Sequence, residues 1–371
     1  IEFPAFVRRG VRDAVLFESY GAKQYADSPR ALYEELAGRD TGLELLWSVS
    51  DGQTELPDGL VPVRRGGTDW YEAAARSRYV VTCVYRSLGT WLTPPSDQVV
   101  VQTWHGAPFK KIGFDSERVE RVAGRGYHDR LMRETARWNH LISPNPPSTP
   151  ILRSAFRYEG NILETGYPRT DIFFRPDRED IAARVRSRIG VPEGKTVVLY
   201  APTYRDDQHY RTNEFRLDLR LDLRRAAEAL GDDHVLLVRR HQKIVDAFPR
   251  EIRSFTRDVS LYPDVNELLL ATDVLISDYS SLMFDFANTG RPMMFFTYDL
   301  EAYRDELRGF YFDIERVPGP LLRTSEEVID AVANASEVRE KFDEVYRSFT
   351  HDFCAFDDGG AAARVIDQVF T

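Results

Sequence analysis

Apolar residues fall in short, nearly unbroken runs along the first part of the chain: "DAVLFES" at 13 to 19, "LELLWSV" at 43 to 49, "YVVTCV" at 79 to 84 and "VVVQTW" at 99 to 104. Runs of about four to eight residues without polar alternation are what strands look like when both faces of a parallel sheet are covered. The stretches between them have helical spacing. In "SPRALYEELAGRD", Ser28 can cap a helix, Pro29 suits its first turn, and Leu32, Tyr33 and Leu36 share one face.

The same alternation resumes with "TVVLYAP" (196 to 202), "HVLLVRR" (234 to 240), "DVLISDY" (273 to 279) and "PMMFFTY" (292 to 298). The pattern predicts an α/β protein made of two Rossmann-like, doubly wound parallel-sheet domains. Between the two sets lies "FRPDREDIAARVRSRIGVPEGK" (174 to 195), strongly charged, with Ile181 and Val185 on one side of a helix and a Gly/Pro turn at its end. That composition shift puts the boundary between an N-terminal domain, 1 to 174, and a C-terminal domain, 175 to 371, whose final helix is a candidate to cross back. The leucines of "RLDLRLDLRRAAEAL" (216 to 230) alternate at first and then take helical spacing at Leu223, Ala226, Ala227 and Leu230, which predicts a strand-like approach to a helix.

At 371 residues, 43% hydrophobic and 12% aromatic, the chain has enough apolar material for two cores. Its net charge of −10 argues against wholesale nucleic-acid binding, which needs an excess of Lys and Arg. Cys83 and Cys354 are too few for a disulfide framework or a metal knuckle and read as reduced thiols. The sequence opens on Ile, with a charged start and no run near the ~20 apolar residues of a membrane span, so it reads as a soluble or peripheral piece of a longer chain.

In sheets of this kind ligands bind beyond the carboxyl ends of the strands, so the polar residues after each run matter most. They are His105, Gly106, Pro108, Lys110 and Lys111; then Thr203, Tyr204 and Arg205; then Arg239, Arg240 and His241; then Asp278, Ser280 and Ser281 at a helix start. Hydroxyls and free N–H groups at a helix start suit a phosphate, although serine there also serves as a plain cap. His105 is a candidate general base, and the five histidines other than it and His241 read as structural. No Asp-x-Asp triplet, GxGxxG or GxxxxGK[ST] loop occurs, so a diphosphate would be neutralised by fixed cations rather than by a metal.

Taken together, "QTWHGAPFKKIGFD", "SPNPPSTPIL", "ILETGYPRTDIF", "VVLYAPTYRDD", "YPDVNELLLATDVLISDYSSLMFDFANTGRPMMFFTYDLEAYRDELRGFYFD" and "DDGGAAARVID" resemble the CDP-glycerol glycerophosphotransferase family of teichoic acid primases and polymerases. Ala107 stands where that family commonly has Thr, Tyr204 where Trp is frequent and Gln242 where Pro is common. The resemblance implies a GT-B-like fold with the acceptor on the N-terminal side and the donor, CDP-glycerol or CDP-ribitol, in the C-terminal domain. It implies transfer of a polyol phosphate to a hydroxyl of a lipid-linked or polymeric acceptor, with release of CMP and without a metal or other cofactor. His105 would take the acceptor proton and His241 would stabilise the donor phosphates. Thr203, Arg205, Arg239, Asp278, Ser280 and Ser281 would hold the donor, and Lys110 and Lys111 the acceptor. A GT-B sugar transferase using a nucleotide sugar, or a non-catalytic polymer-binding relative, is the alternative that the same fold supports.

Such an enzyme is expected in the cytoplasm, peripheral at the inner face of the bacterial membrane. Residues 104 to 153 carry more Lys and Arg than Asp and Glu, and "RGYHDRLMRETARWNHLI" places Leu131, Trp138, Leu141 and Ile142 beside arginines. This segment is read either as an interfacial helix or as a solvated helix packed on its own domain.

Overall fold

The computed structural model describes residues 3–50, 54–85, 93, 95–116, 124–203, 209–211, 214–215, 219–240 and 252–370. Among them the N-terminal half forms a seven-stranded sheet: β1 (Arg12–Glu18), β2 (Glu44–Val49), β3 (Val61–Arg64), β4 (Ser77–Thr82), β5 (Val99–Gln102), β6 (His140–Ser143) and β7 (Asn161–Glu164). The order is β3-β2-β1-β4-β5-β6-β7, and every pairing is parallel. In the C-terminal half, β8 (Thr196–Tyr200) is followed by a short antiparallel pair, β9 (His209–Arg211) with β10 (Glu214–Phe215). Then come β11 (His234–Val238), β12 (Thr256–Asp258), β13 (Val274–Ser277), β14 (Met293–Phe296) and β15 (Leu321–Leu322). These six, without the β9–β10 pair, make a second parallel sheet ordered β12-β11-β8-β13-β14-β15.

Both sheets are wound on both faces, which is why the strand sequences lack alternation. In β1, Ala14 and Leu16 point into one core with Trp70, Leu131 and Phe156, while Val15 and Phe17 point into another with Leu32 and Trp47. The second core is completed by Ala362, Val365, Ile366 and Val369 of the helix Ala361–Val369, which crosses back from the end of the chain. Its first turn is held by Asp171, whose carboxylate accepts from the N–H groups of Ala361 and Ala362. The helix Arg178–Arg188 buries Ile181, Ala182 and Val185 against β8 residues Val197 and Leu199, so the chain has passed into the second half by that point.

Three local expectations are corrected. Ser28 does not cap its helix, which runs Asp27–Ala37 with Ala26 at the cap, because the Asp27 carboxylate accepts the Ser28 N–H and the serine side chain is buried. Leu219 to Asp222 form no strand. Asp222 instead caps the helix Leu223–Leu230 by accepting from the N–H groups of Arg224 and Arg225, while residues 216–218 lie outside the described residues. Leu131, Trp138, Leu141 and Ile142 do not form an apolar face for a membrane: all four are buried in the N-terminal cores, the last two on β6, and of the helix Tyr127–Thr135 only Met132 is an exposed large apolar residue. Among the described residues no helix is long and apolar enough to cross a membrane.

Candidate active site

In both sheets the strand order reverses beside the first strand, at β1/β4 and at β8/β13, and at such switch points the strand ends part to leave a crevice. The two crevices meet. His105 follows β5 after Trp104, a residue forced into left-handed backbone at φ 56°. Its Nδ1 lies 2.8 Å from the carbonyl oxygen of Cys83, at the end of β4. A carbonyl only accepts, so Nδ1 carries the proton and Nε2 keeps the basic lone pair. Burial lowers the pKa of the ring, opposed by the bond to Cys83, and so favours the neutral form. A partly buried, neutral imidazole with a fixed tautomer is suited to general base catalysis.

The turn carrying His105 is mechanically part of the other half. A Cβ on Gly106 would stand 2.5 Å from the Ser281 hydroxyl oxygen, so the closeness of His105 to the C-terminal domain depends on glycine there. Ala107 and Phe109 are buried in the C-terminal core, with Phe109 stacked on Phe310 at 4.5 Å. The backbone is paired as well: Lys111 N–H donates to Gly309 O, and Tyr311 N–H donates to Phe109 O. Lys110 forms an antiparallel bridge with Phe310 and is partly buried, whereas Lys111 is exposed. Both lysines therefore sit on the seam between the halves.

On the opposite wall, Asp278 is buried at the end of β13, and its carboxylate accepts from Thr203 N–H at 3.0 Å and Tyr279 N–H at 2.6 Å. Asp278 thus ties the loops after β8 and β13 together and fixes where Thr203 stands. The Ser280 hydroxyl accepts from Leu282 N–H at 3.3 Å, while Ser281 makes no side-chain cap bond to the helix Leu282–Ala287. That helix has six residues, so its dipole is smaller than the sequence pattern implies. Arg239 at the end of β11 donates to the carbonyls of Val259 and Tyr262, and burial lowers its pKa. Arg205 and His241 lie outside the described residues.

Four residues that sequence reasoning missed knit the walls together. Arg169, 4% exposed, donates to Asp27 of the first half at 3.2 Å and to Asp285 of the second at 3.0 Å. Asp27 also accepts the Tyr20 hydroxyl at 2.6 Å. Burial, only partly offset by Arg169, pushes Asp285 up to about 6. The one sequence signal for this set is Arg169 within "GYPRTD". Tyr20, Asp27, Arg169, Arg239 and Asn266 line a cavity of about 280 Å³ between the halves.

Residues 3–371 match the family described as CDP-glycerol:poly(glycerophosphate) glycerophosphotransferase. The teichoic acid poly(glycerol phosphate) polymerase of Bacillus subtilis (strain 168) is 38% identical over 365 residues, 97% of this chain but 49% of that protein, so the chain spans about half its length. The teichoic acid glycerol-phosphate transferase of Staphylococcus aureus (strain NCTC 8325 / PS 47) is 37% identical over 367 residues, 97% of this chain and 93% of the relative. Among solved structures, the wall teichoic acid polymerase TagF superposes with a TM-score of 0.90 at 34% identity, covering 99% of this chain and 92% of that one. The fold is therefore GT-B-like, two parallel-sheet α/β domains, and the chain belongs to the CDP-glycerol:poly(glycerophosphate) glycerophosphotransferase family of transferases.

Proposed function

We propose that this chain transfers glycerol phosphate from CDP-glycerol to a hydroxyl of a teichoic-acid-like acceptor. The acceptor oxygen loses its proton to Nε2 of His105 and attacks the phosphorus that bears the glycerol. The phosphodiester forms, the bond to the cytidine-bearing phosphate breaks, and CMP leaves. Alignment and charge neutralisation supply most of the catalysis in such a transfer. The observation that carries the reading is the Nδ1 bond from His105 to Cys83 O, which leaves a neutral base facing a wall with Ser281 and Thr203.

On the donor side, Arg239 and Ser281 hold the diphosphate without a metal, with Asp278 positioning Thr203. His241 and Arg205 complete that set on the strength of the motif resemblance. Lys110 and Lys111, on the seam beside His105, meet the anionic acceptor. The lipid-linked acceptor brings the enzyme to the cytoplasmic membrane face, where the exposed Arg133 of the helix Tyr127–Thr135 would contribute charge and Met132 the exposed apolar contact.

A donor screen tests the whole reading. CMP release from CDP-glycerol is expected in EDTA, with His105→Ala lowering turnover at least ~10²-fold at unchanged melting. UDP release from a UDP-hexose with CDP-glycerol inert, or activity that EDTA abolishes and Mg²⁺ restores, would overturn the donor or the metal-free part respectively.

A further inference from the structure

The loop after β1 enters the cavity in unusual backbone. Tyr20, Gly21 and Ala22 have φ of 46°, 70° and 69°, and Asp27, where the next helix starts, has 64°. Left-handed backbone at residues with side chains persists only where the surroundings over-determine it, and it collects at functional sites. Here it brings the Tyr20 ring edge-on to His105, 6.0 Å between centroids, and places Tyr20 in the lining of the cavity opposite Arg239.

The hydroxyl of Tyr20 has a fixed direction. Asp27 Oδ2 accepts from Tyr20 Oη and from Arg169 Nη1, and Asp27 Oδ1 accepts from Ser28 N–H. This carboxylate is an acceptor held by a buried arginine, so the phenol proton points at it and the lone pairs of Tyr20 Oη are left for the cavity. Burial first, and Asp27 second, raise the pKa of Tyr20 well above that of a free phenol, so it remains a neutral phenol. An oxygen able only to accept disfavours phosphate, which offers no hydrogen there, and selects a ligand group that donates. Beside a base that takes a proton from a hydroxyl, the donating group is a hydroxyl.

We infer that Tyr20 is a substrate-binding residue whose Oη accepts a hydrogen bond from a polyol hydroxyl beside His105, so that the Asp27–Tyr20 pair reads the glycerol unit. This rests on the transferase reading above. The hydroxyl belongs either to the glycerol of the donor or to the terminal glycerol of the acceptor, and the two are separable by experiment.

Tyr20→Phe keeps the ring and removes the acceptor. Calorimetry with CDP-glycerol and with CMP, beside steady-state kinetics in a poly(glycerol phosphate) acceptor, is the test. We expect a roughly three- to tenfold weaker Kd for CDP-glycerol if the donor glycerol is read, or a KM for acceptor raised by the same factor if the acceptor is read. CMP affinity is expected to stay at its wild-type value, and the melting temperature to fall only slightly, for the lost bond to Asp27. Unchanged Kd and KM would overturn the inference. So would a parallel loss of CMP affinity, which would make Tyr20 a nucleotide contact instead. Wild-type protein that fails to bind CDP-glycerol would instead sink the transferase reading itself, and this inference with it.

Discussion

The two walls of the cleft reach their shapes by opposite means. Every described non-glycine residue with left-handed backbone, namely Tyr20, Ala22, Asp27, Trp104 and Arg157, belongs to the N-terminal half, and the first four surround His105 or the loop facing it. In the C-terminal half only glycines among the described residues have positive φ, and loop shape comes from side chains that accept backbone N–H groups: Asp278 for Thr203 and Tyr279, Asp264 for Asn266, and Ser280 for Leu282. The base side stores strain to fix a geometry, while the donor side uses ordinary caps. Changes that move the strained backbone of the first wall should therefore alter rate, and changes on the second should alter affinity or stability.

Arg169 joins the walls, and its loss should have the largest effect. Arg169→Met leaves Asp27 and Asp285 buried and unpaired, which is expected to cost about 3–5 kcal/mol in denaturant unfolding. Asp285 is already pushed up to about 6, so its protonated form is favoured in the folded state and the cost of its charge appears as pH rises through that range. The deficit of the variant should accordingly be smaller at pH 5 than at pH 8. A loss under ~1 kcal/mol at both would mean that the two halves do not depend on this bridge.

Gly106→Ala comes next. The added methyl meets the Ser281 oxygen at 2.5 Å, so the turn must retreat, and an ångström of misplacement can lower turnover by ~10²-fold. Donor affinity and melting should change little. Turnover within a few-fold of wild type would show that the contact relaxes without moving the base.

The serine pair sharpens the contrast inside the second wall. Ser280→Ala should lower stability by ~1 kcal/mol, since its oxygen caps Leu282 N–H, and leave donor binding nearly unchanged. Ser281→Ala, with no cap bond to lose, should leave the melting curve in place and weaken CDP-glycerol binding by ~10-fold. The reverse pattern in paired melting and calorimetry would exchange the two roles. The smallest effect is the shape of the pH–rate profile. Because burial lowers the pKa of His105, the acid limb of kcat/KM should have its midpoint below ~6.5, with rate lost as pH falls through it. A midpoint above 7 would exclude His105 as the titrating base.

The eight apolar runs announced their strands because both faces of each are buried, and a strand of that kind needs no context to be recognised. β3, β12 and β15 are two to four residues long at or next to a sheet edge, too short for any period to show. β6 was concealed for another reason: "HLIS" follows an arginine-rich stretch and continues a helical-looking pattern, and only its pairing with β5 and β7 makes it a strand. Within the site, the polar residues directly after strands were legible, since topology alone aims them at the crevice. Tyr20, Asp27 and Asp285 were not, because their partnership is made by Arg169 from a distant segment and no spacing along the chain encodes it.

The helix Ala361–Val369 has a consequence for the order in which the protein can be made. It fills the core beneath Val15, Phe17 and Trp47, so one face of the first sheet stays open to water until residues 361 to 369 have been made. Phe109 likewise waits for Phe310. Folding of the first half cannot finish before that helix emerges, and a nascent chain stalled before residue 361 should be a client for chaperones and prone to associate through that bare sheet.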